Sequence, residues 1–271
     1  MFSAVDHDRH PPHEDHDTAR WRELLSGENS GLKTMERVFR KFPSPPRCKL
    51  CQAPFSGPWA PLSRLAGFRR WNLNQQLCKW RIGSIEDQTG GAEIPVSLLY
   101  SDLRGSTELA EQLGPSEFTR LLNRFYSRVS EAVDAESGVI DHMAGDGVFA
   151  IWIPAFVDGP HAPRAVAAGR RLVANLEAER RKGLDIPAGV AVHTGVAFVG
   201  VVGELGSKDF TALGDPVNSV ARLATAAGPG ELVLSDAIVV AADVDTTGLS
   251  HQYYELKGKA EPFPAWVQLA P

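Results

Sequence analysis

Cysteine is scarce in this chain: 271 residues contain only Cys48, Cys51 and Cys78. So small and odd a set excludes a disulfide scaffold and fits a reducing compartment. No apolar run is long enough to span a bilayer. The longest uncharged stretch, residues 186–203, holds Pro187, His193, Thr194 and several glycines. Its spaced valines predict two strands around a turn at Thr194–Gly195 rather than a spanning helix. A long basic stripe is also missing, and the net charge of −5 argues against nucleic acid as the main partner. The first 20 residues lack an apolar h-region, which predicts no signal peptide. Together these features predict a cytoplasmic protein with no membrane partner.

What is present divides the chain unevenly. Residues 1–20 hold His7, His10, His13 and His16 among acidic and polar neighbours and read as a mobile tail. Within residues 21–46, Leu32, Met35, Val38 and Phe39 suit one face of a short helix that Pro43, Pro45 and Pro46 stop. Residues 47–81 carry a C-x-x-C at Cys48 and Cys51, then a C-x-x-R beginning at Cys78. A complete zinc ribbon would place a fourth thiolate where Arg81 stands, so the three cysteines are an incomplete Zn²⁺ set. Trp59, Leu62, Leu65, Phe68, Trp71 and Trp80 could instead hold such a module by packing. Residues 82–92 are polar and glycine-rich and read as a linker to a main domain over 93–271.

That domain has an apolar strand at Val96–Tyr100 and a helix from Ser106. A second helix opens at Pro115 and stops at Gly138. Strands at Val139–Met143 and Val148–Ile153 precede a helix over Pro163–Arg181. Strands around residues 190–202, a helix from Pro216 and three C-terminal strands follow. This order predicts an α+β fold of the ferredoxin-like, split βαβ kind, with a mainly antiparallel sheet beside the small ribbon-like module.

Asp102, in LLYSDLRGST, ends the first strand ahead of a helix start. Gly105, Ser106 and Thr107 lie where free backbone N–H groups suit a polyphosphate. Asp146, in HMAGDGVFAIW, sits in a tight turn between two strands. Two carboxylates so placed can share a pair of Mg²⁺ or Mn²⁺ ions, while Asp-Gly alone is a common turn. Asn218 and Arg222, four residues apart in TALGDPVNSVAR, share one side of a helix, as any exposed pair would.

From about Val96 to Leu269 the chain resembles the catalytic domain of the class III nucleotidyl cyclases, the adenylate and guanylate cyclases. SDLRGST and HMAGDGVFAIW resemble the family's two metal-aspartate motifs, and FTALGDPVNSVARL resembles its segment of transition-state residues. The cysteine module and the helix before it resemble the N-terminal extension of a bacterial subgroup. The resemblance implies a homodimer that binds a nucleoside triphosphate between subunits. It implies two metals on Asp102, Asp146 and the Leu103 carbonyl, ribose orientation by Asn218, α-phosphate contact by Arg222 and triphosphate contact by Lys257. At the positions that read the base, this chain has His142 for the family's lysine and Thr211 for its aspartate. Gly189 replaces a basic residue often found before the V-x-V-H-T-G strand. A glutamate–cysteine guanylate pair is absent, and ATP is favoured weakly. Two other readings stay open: a degenerate cyclase serving as a regulatory module, and a redox or metal sensor working through the cysteines.

Overall fold

The computed structural model describes residues 16–28, 30–42, 46–82, 90–204 and 208–270. Most of the expected tail and linker, residues 1–15 and 83–89, lies outside them. The centre of the sheet is β1 (Gly90–Leu103), whose near-continuous burial follows from having a neighbour on each edge and cover on both faces. β2 (Val139–Ala144) and β3 (Gly147–Trp152) form a hairpin, and β3 lies antiparallel to β1. On the other edge of β1 runs β4 (Ala188–Val202), antiparallel along the full length of β1. β5 (Asp209–Leu213) pairs with the far half of β4. β6 (Glu231–Ser235) joins β4 in parallel, then β8 (Phe263–Leu269) and β7 (Ser250–Tyr254) extend the sheet antiparallel. The order β2-β3-β1-β4 is that of the expected split βαβ fold, and the mainly antiparallel sheet is as predicted.

Two features differ from expectation. The stretch read as two strands around Thr194–Gly195 is one 15-residue strand, β4. The Thr194 hydroxyl donates to the Val96 carbonyl at 2.7 Å, and Gly195 pairs opposite Val96. Gly195 is required by crowding, because a Cβ there would collide with Pro216. Residues 90–92, read as the end of a linker, are the first residues of β1.

Both faces of the sheet are covered. α5 (Ser106–Ala135), α6 (His161–Arg181) and α8 (Asp236–Ala241) pack on one face, through Leu121, Phe125, Val129, Leu172, Leu176 and Ile238. α5 breaks at Gly114 (φ 72°), and Pro115 opens its second part as the sequence predicts. On the other face lie α7 (Asp215–Ala226) and the N-terminal region. That region has two helices rather than one, α1 (His16–Ser26) and α2 (Ser30–Phe39), so helix begins within the expected tail. Trp21, Leu24 and Leu25 of α1 are buried against the sheet, whereas Val38 of α2 is exposed. The cysteine module adds α3 (Ala60–Leu65) and α4 (Lys79–Ile82). Of its expected packing residues only Phe68 and Trp71 are buried; Trp59, Leu62, Leu65 and Trp80 are exposed.

Candidate active site

Asp102 is the penultimate residue of β1, and Asp146 lies in the β2–β3 turn directly across from it. The register pairs Asp102 with Gly147, and the Leu103 N–H donates to the Asp146 carbonyl at 3.1 Å. Gly147 leaves room for the Tyr100 side chain, whose hydroxyl would meet a Cβ there and would have to shift. Burial pushes the Asp102 carboxyl above the usual carboxylate range. Arg104 opposes that shift, and the negative charge of Asp146 adds to it. Burial and the same two carboxylates raise Tyr100. The Tyr126 hydroxyl, also raised by burial and Asp146, donates to the Gly145 carbonyl and fixes the turn.

Arg104 is the cation already present. Its guanidinium pairs with Asp102 Oδ2 at 2.6 Å and donates to the Thr225 carbonyl, near the end of α7, also at 2.6 Å. Gly105 precedes α5, and no side chain caps that helix. The first-turn N–H groups of Ser106 and Thr107 are therefore available to an anion.

Asn218 and Arg222 lie on α7, with Asn218 exposed. Arg222 reaches the loop that carries Lys257: a Cβ on Gly258 would stand 3.5 Å from its Nη1. Lys257 is exposed, while Lys259 grips Asp215, the first residue of α7, with 2.6 and 2.7 Å bonds. Among the described residues no hydrogen bond or ion pair joins Asn218 or Arg222 to Asp102 or Asp146.

The positions expected to read the base do come together, through a residue that the sequence reading missed. Asp141 Oδ2 accepts from the Thr211 hydroxyl at 2.8 Å and lies 2.7 Å from His142 Nδ1. Strict alternation would put Asp141 and His142 on opposite faces. A bulge between Ile140 and His142 shifts the register and brings both side chains to one cluster. The bond to Asp141 raises the His142 pKa, with burial opposing it. Burial raises Asp141, against the bonds from His142 and Thr211.

The sequence profile of the adenylate and guanylate cyclase catalytic domain matches residues 92–267. The chain belongs to that family. It is 35% identical over 133 residues to adenylate cyclase 1 of Rhizobium meliloti (strain 1021), covering 47% of this chain and 20% of that protein. It is 32% identical over 180 residues to an uncharacterised protein of Mycobacterium tuberculosis (strain ATCC 25618 / H37Rv), covering 65% and 33%. The chain thus spans a third or less of the length of these relatives. The guanylyl cyclase Cya2 superposes with a TM-score of 0.60 at 26% identity, over 66% of this chain and 93% of that one. The adenylyl cyclase CyaB from P. aeruginosa does so with 0.57 at 25%, over 65% and 93%. The domain is a class III nucleotidyl cyclase domain, of a family that uses divalent metals and typically dimerises. Among the described residues no helix is long and apolar enough to cross a membrane.

The carboxylate site fits such metals. Its donors are hard oxygens, and the charge of a cation would relieve the repulsion and burial that raise Asp102.

Proposed function

We propose that this chain converts a nucleoside triphosphate, ATP in preference, into a 3′,5′-cyclic nucleotide and pyrophosphate in intracellular signalling. Two copies would form a homodimer, each site taking its halves from different subunits. The observation that carries the reading is the pairing of Asp102 and Asp146 beside the uncapped N-terminus of α5. Two Mg²⁺ or Mn²⁺ ions would be held by Asp102, Asp146 and the Leu103 carbonyl. When bound, they make the 3′-hydroxyl a better nucleophile and neutralise phosphate charge. Gly105, Ser106 and Thr107 would cradle the phosphates with backbone N–H groups. From the other subunit, Asn218 would orient the ribose and Lys257 would contact the triphosphate. The Arg222 guanidinium would stabilise charge growing on the α-phosphate oxygens. An O3′–Pα bond forms as the O3′–H bond breaks, its proton passing to water, and the bond from Pα to the bridging oxygen of pyrophosphate breaks.

The Asp141 cluster supports ATP. The only proton of the Thr211 hydroxyl is directed at Asp141, so toward a ligand Thr211 can only accept. With Nδ1 held by Asp141, protonated His142 offers Nε2–H as a donor. One acceptor beside one donor complements the amino group and ring nitrogen of adenine.

The test incubates purified chain with ATP, GTP, CTP or UTP and Mn²⁺, following cyclic product by mass spectrometry, with Asp102→Ala as control. Cyclic AMP lost in the variant is the expected result; no cyclic product from any nucleotide by a confirmed dimer would sink the reading. Zn²⁺ at Cys48, Cys51 and Cys78 is the remaining cofactor of this proposal.

A further inference from the structure

Cys78 lies 27 residues beyond the Cys48–Cys51 pair in sequence and converges with it in space. Cys48 and Cys51 flank a tight knuckle, closed by the Gln52 N–H on the Cys48 carbonyl at 2.9 Å, with Gln52 at φ 62°. Cys78 ends a second hairpin, in which the Trp71 N–H donates to Leu77 and the Leu77 N–H to Asn74. The Lys49 N–H donates to the Gln76 carbonyl and ties the two turns together. All three sulfurs lie within 4.8 Å of one another and all are buried. Cys51 and Cys78 stand 3.3 Å apart as free thiols, and the Cys78 N–H donates to the Cys48 sulfur at 3.2 Å. Three sulfurs held tetrahedrally at about 2.3 Å from one ion would be roughly 3.8 Å apart, which separations of no more than 4.8 Å allow. Burial resists ionisation of Cys48, but thiol bonds from Cys51 and Cys78 bring it well below a free thiol, and the bond to Cys48, with burial, pushes Cys78 up to about 12. A soft cation would remove the conflict.

The hairpin that ends at Cys78 also grips the edge of β2. The Gln76 side chain donates to the Ile140 carbonyl at 2.9 Å and accepts from the Ile140 N–H at 3.4 Å. Asn74 adds a 3.3 Å bond to the same carbonyl. Ile140 immediately precedes the Asp141–His142 bulge. The Trp71 ring lies 5.5 Å from that of Phe210, which immediately precedes Thr211. Trp21 stacks on Phe210 at 6.5 Å.

We infer that Cys48, Cys51 and Cys78 bind one thiophilic metal ion, and that Gln76 is the positioning residue by which occupancy orders the Asp141–His142–Thr211 cluster. The metal fixes the two knuckles against each other. That holds the Gln76 amide on the edge of β2 and keeps the bulge in register. The effect on base recognition rests on the cyclase reading; the metal site and its mechanical link do not.

The experiment uses the full chain, stripped with a chelator under reducing conditions and reloaded with Zn²⁺ or Co²⁺. Co²⁺ should give a thiolate charge-transfer band at one ion per chain. Zn²⁺ should slow amide exchange at residues 139–143 and 210–212 on the order of tenfold. Gln76→Ala should keep the cobalt band and lose the slowing at 139–143. A missing band, a Cys51–Cys78 disulfide under reducing conditions, or a band with unchanged exchange would each overturn the inference. Cyclic product plays no part in these readouts, so loss of the cyclase reading would leave them intact. If product forms, Zn²⁺ should lower KM for ATP and leave kcat nearly unchanged, and Gln76→Ala should remove that difference.

Discussion

The Thr211 hydroxyl donates to the same Asp141 oxygen that holds His142. One carboxylate thus sets the hydrogen-bonding state of two side chains on different strands. In Asp141→Asn the amide can donate as well as accept, so the fixed pattern is lost. KM for ATP should rise on the order of tenfold, the scale of one such bond, with little change in kcat. An unchanged ratio of ATP to GTP turnover would refute this role for Asp141.

His142 should make base recognition pH-dependent. Asp141 raises its pKa above the ordinary value near 6.5. The donor form is therefore complete below that ordinary value and is lost as pH rises through the raised one. KM for ATP should climb over that window in the parent chain and stay flat in His142→Lys, whose charge persists. Matching profiles for the two proteins would remove His142 from base reading.

Arg222→Ala should lower kcat by about 10²–10³ while leaving metal dependence alone, as expected for a donor aimed at developing charge. Mixing Arg222→Ala with Asp102→Ala tests the subunit arrangement. The heterodimer retains one site free of both changes, so activity should return on mixing two inactive proteins. Failure to recover it would place the two half-sites in one chain.

His193 predicts an acid limb in stability. The ring is buried against Ser235, whose hydroxyl lies 2.7 Å from Nδ1, and burial with the charge of Lys259 lowers its pKa to about 4. Above about pH 6.5 neither folded nor unfolded His193 is charged. As pH falls from there toward 4, the unfolded chain takes up a proton that the folded chain refuses. Stability should fall across that window by up to roughly 3 kcal/mol. Urea unfolding of His193→Gln should show a shallower decline; an identical one would clear His193.

Gly200 and Gly91 face each other where β4 crosses β1, and a Cβ on either would run into the opposing backbone. Gly200→Ala should cost about 3 kcal/mol or more, because backbone cannot rotate aside as a side chain does. Thermal unfolding checks this.

Much of the site was legible because it depends on neighbours in sequence. Asp102 before a helix start and Asp146 between glycines carry their geometry locally, and Pro115 announced the break in α5. What escaped depends on contacts between distant segments. Gly195 looked like a turn residue because its constraint comes from Pro216 on α7. Asp141 was passed over because alternation assigns it to the wrong face, and a bulge leaves no mark in the residue pattern. Trp59 and Trp80 were read as core because composition identifies an aromatic residue without saying which surface it meets. The short β5 and α8 were missed because neither has enough residues to show a period.

The Arg104 guanidinium gives the carboxylate pair a competitor of its own. On the proposed reading, a divalent ion arriving at Asp102 would meet a positive group that is part of the chain, already holds Oδ2 and is also fastened to the end of α7. Loading the site by both carboxylate oxygens would then exchange one cation for another instead of filling bare charge. Apparent metal affinity would then include the release of that arm, and the far end of α7 would lose a tether.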